Sequence, residues 1–154
     1  MSLIQVLMDQ AATGSLLQPH VISRFTPAEI RESIQQLVST EQMDLAHALG
    51  DAGLSLYPNS EDMLAISGLL ATIREDWETV IEHLLQLLAI REERTDSFTY
   101  KVLVHALKQR MEYEAALNVL TLGLQHYPDT PELMAELQTL NQLVNAVTAQ
   151  KRAQ

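Results

Sequence analysis

The feature that most constrains the fold of this chain is an internal repeat. Residues 53–58 read Gly-Leu-Ser-Leu-Tyr-Pro, and residues 123–128 read Gly-Leu-Gln-His-Tyr-Pro, 70 positions later. The interval equals two steps of about 35 residues, and a period of about that length is typical of arrays built from repeated helical units. It predicts a third unit between the two copies.

The intermediate unit is visible as a third set of residues with the same internal spacing. The three sets are Met43, Ala46, Gly50 and Gly53; Trp77, Val80, Leu84 and Leu87; and Tyr113, Ala116, Leu120 and Gly123. The first set is 34 positions before the second, and the third follows after 36. The sequence therefore predicts two inserted residues between the second and third units, which we place at Thr95 and Asp96.

Helix, rather than strand, is the secondary structure that the sequence favours. Leu and Ala number 26 and 16, against 9 Val and 8 Ile, and unbranched side chains keep more rotamer freedom in a helix. Residues 26–29 carry a threonine cap, a proline at the first helical position and a glutamate that completes a capping box. The chain is predicted to be all-α. The other candidate caps are Asn59 or Ser60, Asp96 or Ser97, and Thr130 before Pro131.

The third unit, residues 97–130, has the most regular pattern of the three. Its apolar, small and turn positions are Tyr100, Leu103, Leu107, Tyr113, Ala116, Leu120, Gly123 and Pro128. At these positions the sequence resembles the tetratricopeptide repeat (TPR) family. The other two units depart from the family pattern, with Ile34 in place of a small residue, Val80 in place of Ala and Glu92 in place of Pro.

This resemblance implies a right-handed α-solenoid of antiparallel helix pairs. The repeats would span residues 27–60, 61–94 and 97–130, and residues 131–150 would form a C-terminal capping helix. Residues 1–26 do not follow the repeat. We expect them to form an N-terminal helical cap or arm, because the ends of a solenoid otherwise expose apolar surface.

The resemblance also implies where a partner binds. In this family the first helix of each pair usually lines a concave groove that holds a peptide or helix of another protein. Position by position, the candidate groove residues are Arg31, Gln35, Val38, Asp62, Leu69, Phe98, Lys101, His105 and Lys108.

An ordinary solvated helix face is the alternative interpretation of this stripe. Phe98 beside Lys101 and His105 is its most distinctive feature, because an exposed aromatic among hydrogen-bond donors is typical of an interface anchor. With three cations against one carboxylate, the lining is expected to suit an apolar or mildly acidic segment. Arg31 and Gln35 replace the Lys and Asn of the family's carboxylate clamp, so an acidic peptide of the heat-shock type is not expected.

Composition excludes several classes of function. The chain has 10 Lys and Arg against 20 Asp and Glu, a net charge of −10, which argues against nucleic-acid binding because that depends on clustered cations. The absence of cysteine excludes disulfides, thiolate catalysis and sulfur-bound zinc. The apolar start, residues 3–8, is too short to span a membrane, and a cytoplasmic location is expected.

Catalytic and metal-binding signals are weak. The nearest metal candidate is Glu78, Glu82 and His83, but His83 projects about 100° away from Glu82 on a helical wheel. Neither a glycine-rich phosphate loop nor a serine nucleophile elbow is present. We expect no enzyme activity, cofactor or metal.

The favoured function is a non-catalytic scaffold for protein–protein interaction. The alternative is a dedicated chaperone for a bacterial secretion-system or appendage subunit, a role that small acidic members resembling this chain have. The third hypothesis is a homo-oligomeric structural component. None of these identifies the partner.

Overall fold

A computed structural model describes residues 2–13 and 19–153 of the chain. Met1, residues 14–18 and Gln154 lie outside the described part. All regular structure within it is helical, so the expected all-α class is confirmed. The helices are α1 Leu3–Thr13, α2 Pro19–Ile22, α3 Pro27–Ser39, α4 Met43–Leu56, α5 Glu61–Ile73, α6 Trp77–Arg91, α7 Ser97–Gln109, α8 Tyr113–His126 and α9 Pro131–Ala153, with a 3₁₀ turn at Glu92–Arg94.

The chain divides into two compact units, Met1–Arg74 and Glu75–Gln154. In the first unit α3 and α4 form an antiparallel pair, and α5 packs against both. The short N-terminal helices contact this pair, α1 against α3 and α2 against α4. Leu3, Leu7 and Ile22 are consequently buried in the same core as Ile30 and Ile34 of α3.

In the second unit each helix packs against the next, from α6 through α9. The aromatic ring of Tyr100 is fully buried in α7, and Leu120 of α8 and Leu140 of α9 are equally inaccessible. The capping helix α9 therefore contributes to the core along with the repeat helices. It runs three residues beyond the expected end at residue 150.

The helix starts follow the predicted capping chemistry. At the start of α3, Thr26 Oγ1 accepts from the Glu29 amide at 3.2 Å, and Glu29 Oε1 accepts from the Thr26 amide at 3.0 Å. This reciprocal pair satisfies two amides that have no partner inside the helix. Of the two alternative caps predicted for each of the next helices, Ser60 caps α5 and Asp96 caps α7.

The two extra residues between the second and third units are not Thr95 and Asp96. Asp96 caps α7 as Thr26 caps α3, and Thr95 precedes it as Phe25 precedes Thr26. Both positions therefore belong to the repeat itself. The added length lies before them: α6 has 15 residues where α4 and α8 have 14, and it is followed by the 3₁₀ turn Glu92–Arg94, where Glu92 has a φ of 50°.

The tyrosine of the repeated six-residue motif joins the two ends of a helix pair. The Tyr57 hydroxyl donates to the Phe25 carbonyl at 2.9 Å, and the Tyr127 hydroxyl donates to the Thr95 carbonyl at 2.7 Å. Each bond links the end of a second helix to the residue before the cap of its own first helix. The repeated motif therefore places an equivalent tyrosine hydrogen bond in each of the two units.

Candidate interaction surface

In the first unit, the predicted residues lie on α3 and α5. Arg31, Gln35 and Val38 are spaced by four and three residues, so they share one face of α3. The Arg31 guanidinium lies 3.1 Å from the Asp62 carboxylate of α5, and both groups are partly exposed. Gln35 and Leu69 are exposed, whereas Val38 is half-buried. The structure therefore brings Arg31 and Asp62 together directly.

In the second unit, the predicted residues lie on α7. Phe98 is 61% exposed in the first turn. Lys101 and Lys108 flank His105 on the same face and turn toward α9. Lys101 Nζ lies 3.8 Å from Glu132 Oε2, and Lys108 Nζ is bonded to Glu136 Oε1.

A small cavity of about 240 Å³ opens between α7 and α9 at these ion pairs. Its lining combines two apolar side chains, Val104 and Leu133, with the charged groups of the ion pairs. The complete lining is Lys101, Val104, His105, Lys108, Glu132, Leu133 and Glu136.

An ion pair occurs at equivalent positions in the two units. Asp62 follows Arg31 by 31 positions, and Glu132 follows Lys101 by 31 positions. In both units the cation is on a first helix, and the carboxylate is in the first turn of a later helix. In the second unit α9 therefore supplies the position that a further repeat would supply.

Comparison with known proteins gives matches at the level of structure. No family model matches the sequence, and no curated protein matches it either. A structure of MamA from AMB-1 superposes with a TM-score of 0.72 at 13% identity, over 80% of this chain and 66% of that one. The chain thus spans just under two thirds of the MamA length.

Two structures of first TPR domains match over most of their own length. The first TPR of Spaghetti (RPAP3), bound to the HSP90 peptide SRMEEVD, superposes with a TM-score of 0.67 at 13% identity, over 77% of this chain and 93% of that one. The first TPR domain of human RPAP3 gives 0.65 at 14% identity, over 84% and 96%. The chain has the tetratricopeptide repeat fold. The expected fold class is therefore confirmed.

The nine predicted residues lie on α3, α5 and α7, the helices that open the three predicted repeats. Sequence reasoning missed Glu132 and Glu136, because it ended the candidate surface at α7. A signal for them was present. Thr130 and Pro131 repeat the cap and proline that open α3, so the acidic residues of α9 could have been aligned with those of the repeat helices.

These two carboxylates change the charge of the candidate surface. The expected excess of cations is wrong, because each cation faces a carboxylate of another helix: Arg31 faces Asp62, Lys101 faces Glu132, and Lys108 faces Glu136. Partly exposed pairs of this kind contribute only about 0–1 kcal/mol to stability. The pairs matter for recognition instead, because a surface whose cations face carboxylates carries no excess positive charge to attract an acidic partner.

His105 extends the surface toward α6. Its ring contacts the ring of Trp77 edge to face, with centroids 5.1 Å apart. His105 itself is exposed, and Trp77 is half-buried at the start of α6. This contact places the imidazole against the indole, on the same face of α7 as the two lysines.

The pKa values of Glu29, His47 and Tyr100 are shifted from their ordinary values. Hydrogen bonds from the Thr26 amide and hydroxyl lower the pKa of Glu29. Burial lowers the pKa of His47, with Arg74 adding to the effect, and burial raises the pKa of Tyr100. These three groups are outside the nine predicted residues.

Residues 2–13 and 19–153 contain neither a cluster of metal ligands nor a membrane-spanning helix. No group of three or more histidines or acidic residues in this part is placed to hold a metal ion. No helix among the same residues combines the length and apolarity needed to cross a bilayer.

Proposed function

We propose that this protein is a protein-interaction scaffold that binds a peptide or helix of a partner against the first helices of its helix pairs. The observation that carries the proposal is Phe98. A phenyl ring left 61% exposed in the first turn of a well-packed helix has no role in the core of its own unit. Large aromatic side chains are common among the residues that dominate binding energy at interfaces.

The surroundings of Phe98 indicate the chemistry of the partner segment. Lys101 and Lys108 are already paired with carboxylates of α9, so they offer little net attraction to an acidic peptide. In the first unit, considered by itself, Leu69 is also an exposed apolar side chain. The RPAP3 domain was solved with an acidic HSP90 peptide. For the present chain we propose an apolar segment with few charges.

The test begins with the tagged protein as bait, followed by identification and purification of what it captures. The affinity of that partner is then measured for the wild type and for Phe98→Ala. We expect the substitution to weaken binding by about 2 kcal/mol, or roughly 30-fold, as truncation of an interface anchor does. The thermal midpoint should not fall, because the ring is exposed.

The matched control is Met134→Ala, since Met134 is 54% exposed on α9 and does not line the cavity between α7 and α9. It should leave the affinity of this partner unchanged. Unaltered binding in folded Phe98→Ala would show that the partner uses another surface. The behaviour of the partner alone then separates the two roles: a soluble partner identifies an adaptor, and one that aggregates alone identifies a chaperone client.

A further inference from the structure

The last helix is longer than its place in the repeat requires. Helix α9 has 23 residues, whereas α7, the first helix of the preceding pair, has 13. Both helices follow equivalent cap positions, Asp96 and Thr130. The C-terminal part of α9 therefore continues past the level at which α7 ends, by about 15 Å at the usual helical rise.

The extension presents one face to a groove in the second unit. Val144, Val147, Thr148 and Lys151 are spaced by three, one and three residues, so they form a single stripe on α9. This stripe lines a groove of about 730 Å³. The other walls of the groove are α6 and the turn that joins α7 to α8.

The floor of this groove is apolar and accessible. Leu85 of α6 is 43% exposed, and Met111 of the turn has the highest exposure, 76%, among the large hydrophobic residues described. Ile81, Val144 and Val147 are half-buried beside them. Single exposed apolar residues need no explanation, but a concave group of them typically marks an interaction site.

The charges around the groove restrict what can occupy it. Glu112 and Glu114 line the wall at the start of α8, and both are exposed, while Lys151 near the end of α9 contributes one exposed cation to the lining, so the acidic groups outnumber it. Among the described residues neither carboxylate forms an ion pair, in contrast to Glu132 and Glu136 of the same unit. Glu78 adds a third exposed carboxylate one turn before Ile81, only loosely approached by Arg110 at 4.0 Å.

We propose that this groove is a second docking site, and that it holds an amphipathic helix of a partner protein with Lys or Arg beside its apolar face. The length of the α9 extension matches about three turns of such a helix. Its apolar face would cover Leu85, Met111 and Val147. Its cations would lie along the wall formed by Glu112 and Glu114, which gives the site its charge selectivity.

The proposal can be tested with two defined peptides. One is a fluorescein-labelled amphipathic helix of about 14 residues with leucine at positions i, i+3, i+4 and i+7 and lysine elsewhere. The other has glutamate in place of every lysine. Fluorescence anisotropy at physiological ionic strength should show the lysine peptide binding at least ~10-fold more tightly, a difference of about 1.4 kcal/mol.

Variants locate the binding. Leu85→Gln combined with Met111→Asn removes the exposed apolar floor without adding charge, and Asn tolerates the left-handed backbone of residue 111. This double variant should bind the lysine peptide about 10-fold more weakly. Glu112→Gln with Glu114→Gln should weaken it as well. Circular dichroism checks that each variant folds.

Two controls separate this site from its alternatives. Met134→Gln changes a residue that is 54% exposed on α9 but outside the groove, and Phe98→Ala changes the surface proposed above. Both should bind the lysine peptide like the wild type. Equal affinity for the two peptides, or no loss in Leu85→Gln with Met111→Asn, would overturn the proposal. So would a concentration-dependent dimer that the same double variant abolishes, because the occupant would then be a second copy of the chain.

Discussion

At the scale of single residues, the Tyr127 hydroxyl has the clearest energetic role. It donates to the carbonyl of Thr95, a residue that is fully buried, so removal of the hydroxyl leaves a buried acceptor without its donor. Tyr57 makes the same bond to Phe25, but Phe25 is only half-buried, so water can replace the lost donor. A buried unsatisfied group costs about 1–3 kcal/mol, and an ordinary hydrogen bond contributes about 0.5–1.5 kcal/mol.

We therefore expect Tyr127→Phe to destabilise the protein more than Tyr57→Phe does. Urea unfolding gives the free energy of unfolding of each variant. Tyr113→Phe is the matched control, since its hydroxyl makes no hydrogen bond to the described part of the chain, and it should change stability by less than about 0.5 kcal/mol. The argument from burial is refuted if Tyr57→Phe costs as much as Tyr127→Phe.

Residue-level prediction from sequence succeeded where the chemistry is local. The capping box at Thr26 and Glu29 depends on neighbours three positions apart, and both of its bonds are present. The tyrosine bonds connect residues 32 positions apart, so the repeated motif revealed the tyrosine but not its acceptor. Likewise, Glu41 and Met111 have φ of 61° and 59°. The sequence does not indicate this left-handed conformation, because glycine is the residue that usually adopts it and neither position is a glycine.

At the scale of the helices, glycine determines how closely α8 approaches α7. A Cβ atom added at Gly123 would lie 3.0 Å from Cγ and 3.2 Å from Cβ of Tyr100. Those atoms belong to the rigid root of a buried ring and cannot move without the helix. A Cβ added at Gly50 would instead meet the terminal methyl of Leu70 at 2.8 Å, which can rotate away.

This contrast predicts opposite tolerance to the same substitution. Alanine is favoured over glycine by about 1 kcal/mol within a helix, whereas overpacking a core typically costs about 1–3 kcal/mol. Gly123→Ala should therefore lose stability in thermal or urea unfolding. Gly50→Ala should be neutral within about 1 kcal/mol. Equal effects at the two sites would mean that ring rigidity is not what limits the approach of α8.

The presence of the repeat helices could be predicted, because the spacing of the repeat can be read from the sequence alone. The insertion was misplaced for a physical reason: a spacing of 36 residues shows that two residues were added, but any point of the loop could hold them. Only the cap role of Asp96 and the buried carbonyl of Thr95 place the extra length before Thr95, at the end of α6 and in the turn Glu92–Arg94. Loop geometry, unlike helix periodicity, depends on contacts distant in sequence.

At the scale of the whole molecule, the pairing of cations with carboxylates decides what the candidate surface attracts. The nine predicted residues follow position by position from the resemblance to the TPR family, and they stay a prediction. Their charge balance could not be predicted, since it depends on α9, which lies outside the three repeats. Arg31, Lys101 and Lys108 each face an acid from another helix. A sequence count of net charge cannot show such neutralisation.

The same pairing predicts weak binding of an acidic peptide and shows how to strengthen it. The peptide SRMEEVD, found bound to the RPAP3 domain, should bind the wild type poorly. Glu132→Gln with Glu136→Gln releases Lys101 and Lys108 from their carboxylates, and should raise the affinity about 3- to 10-fold, since each partly exposed pair contributes up to about 1 kcal/mol.

Glu112→Gln with Glu114→Gln is the matched control, because it changes the net charge by the same amount at a site away from the lysines. Isothermal titration at low and at physiological salt measures both variants. The gain should be specific to Glu132→Gln with Glu136→Gln and should shrink as salt screens the released lysines. If the control variant gains as much, the total charge of the acidic chain governs peptide binding, and the local pairing on α7 and α9 does not.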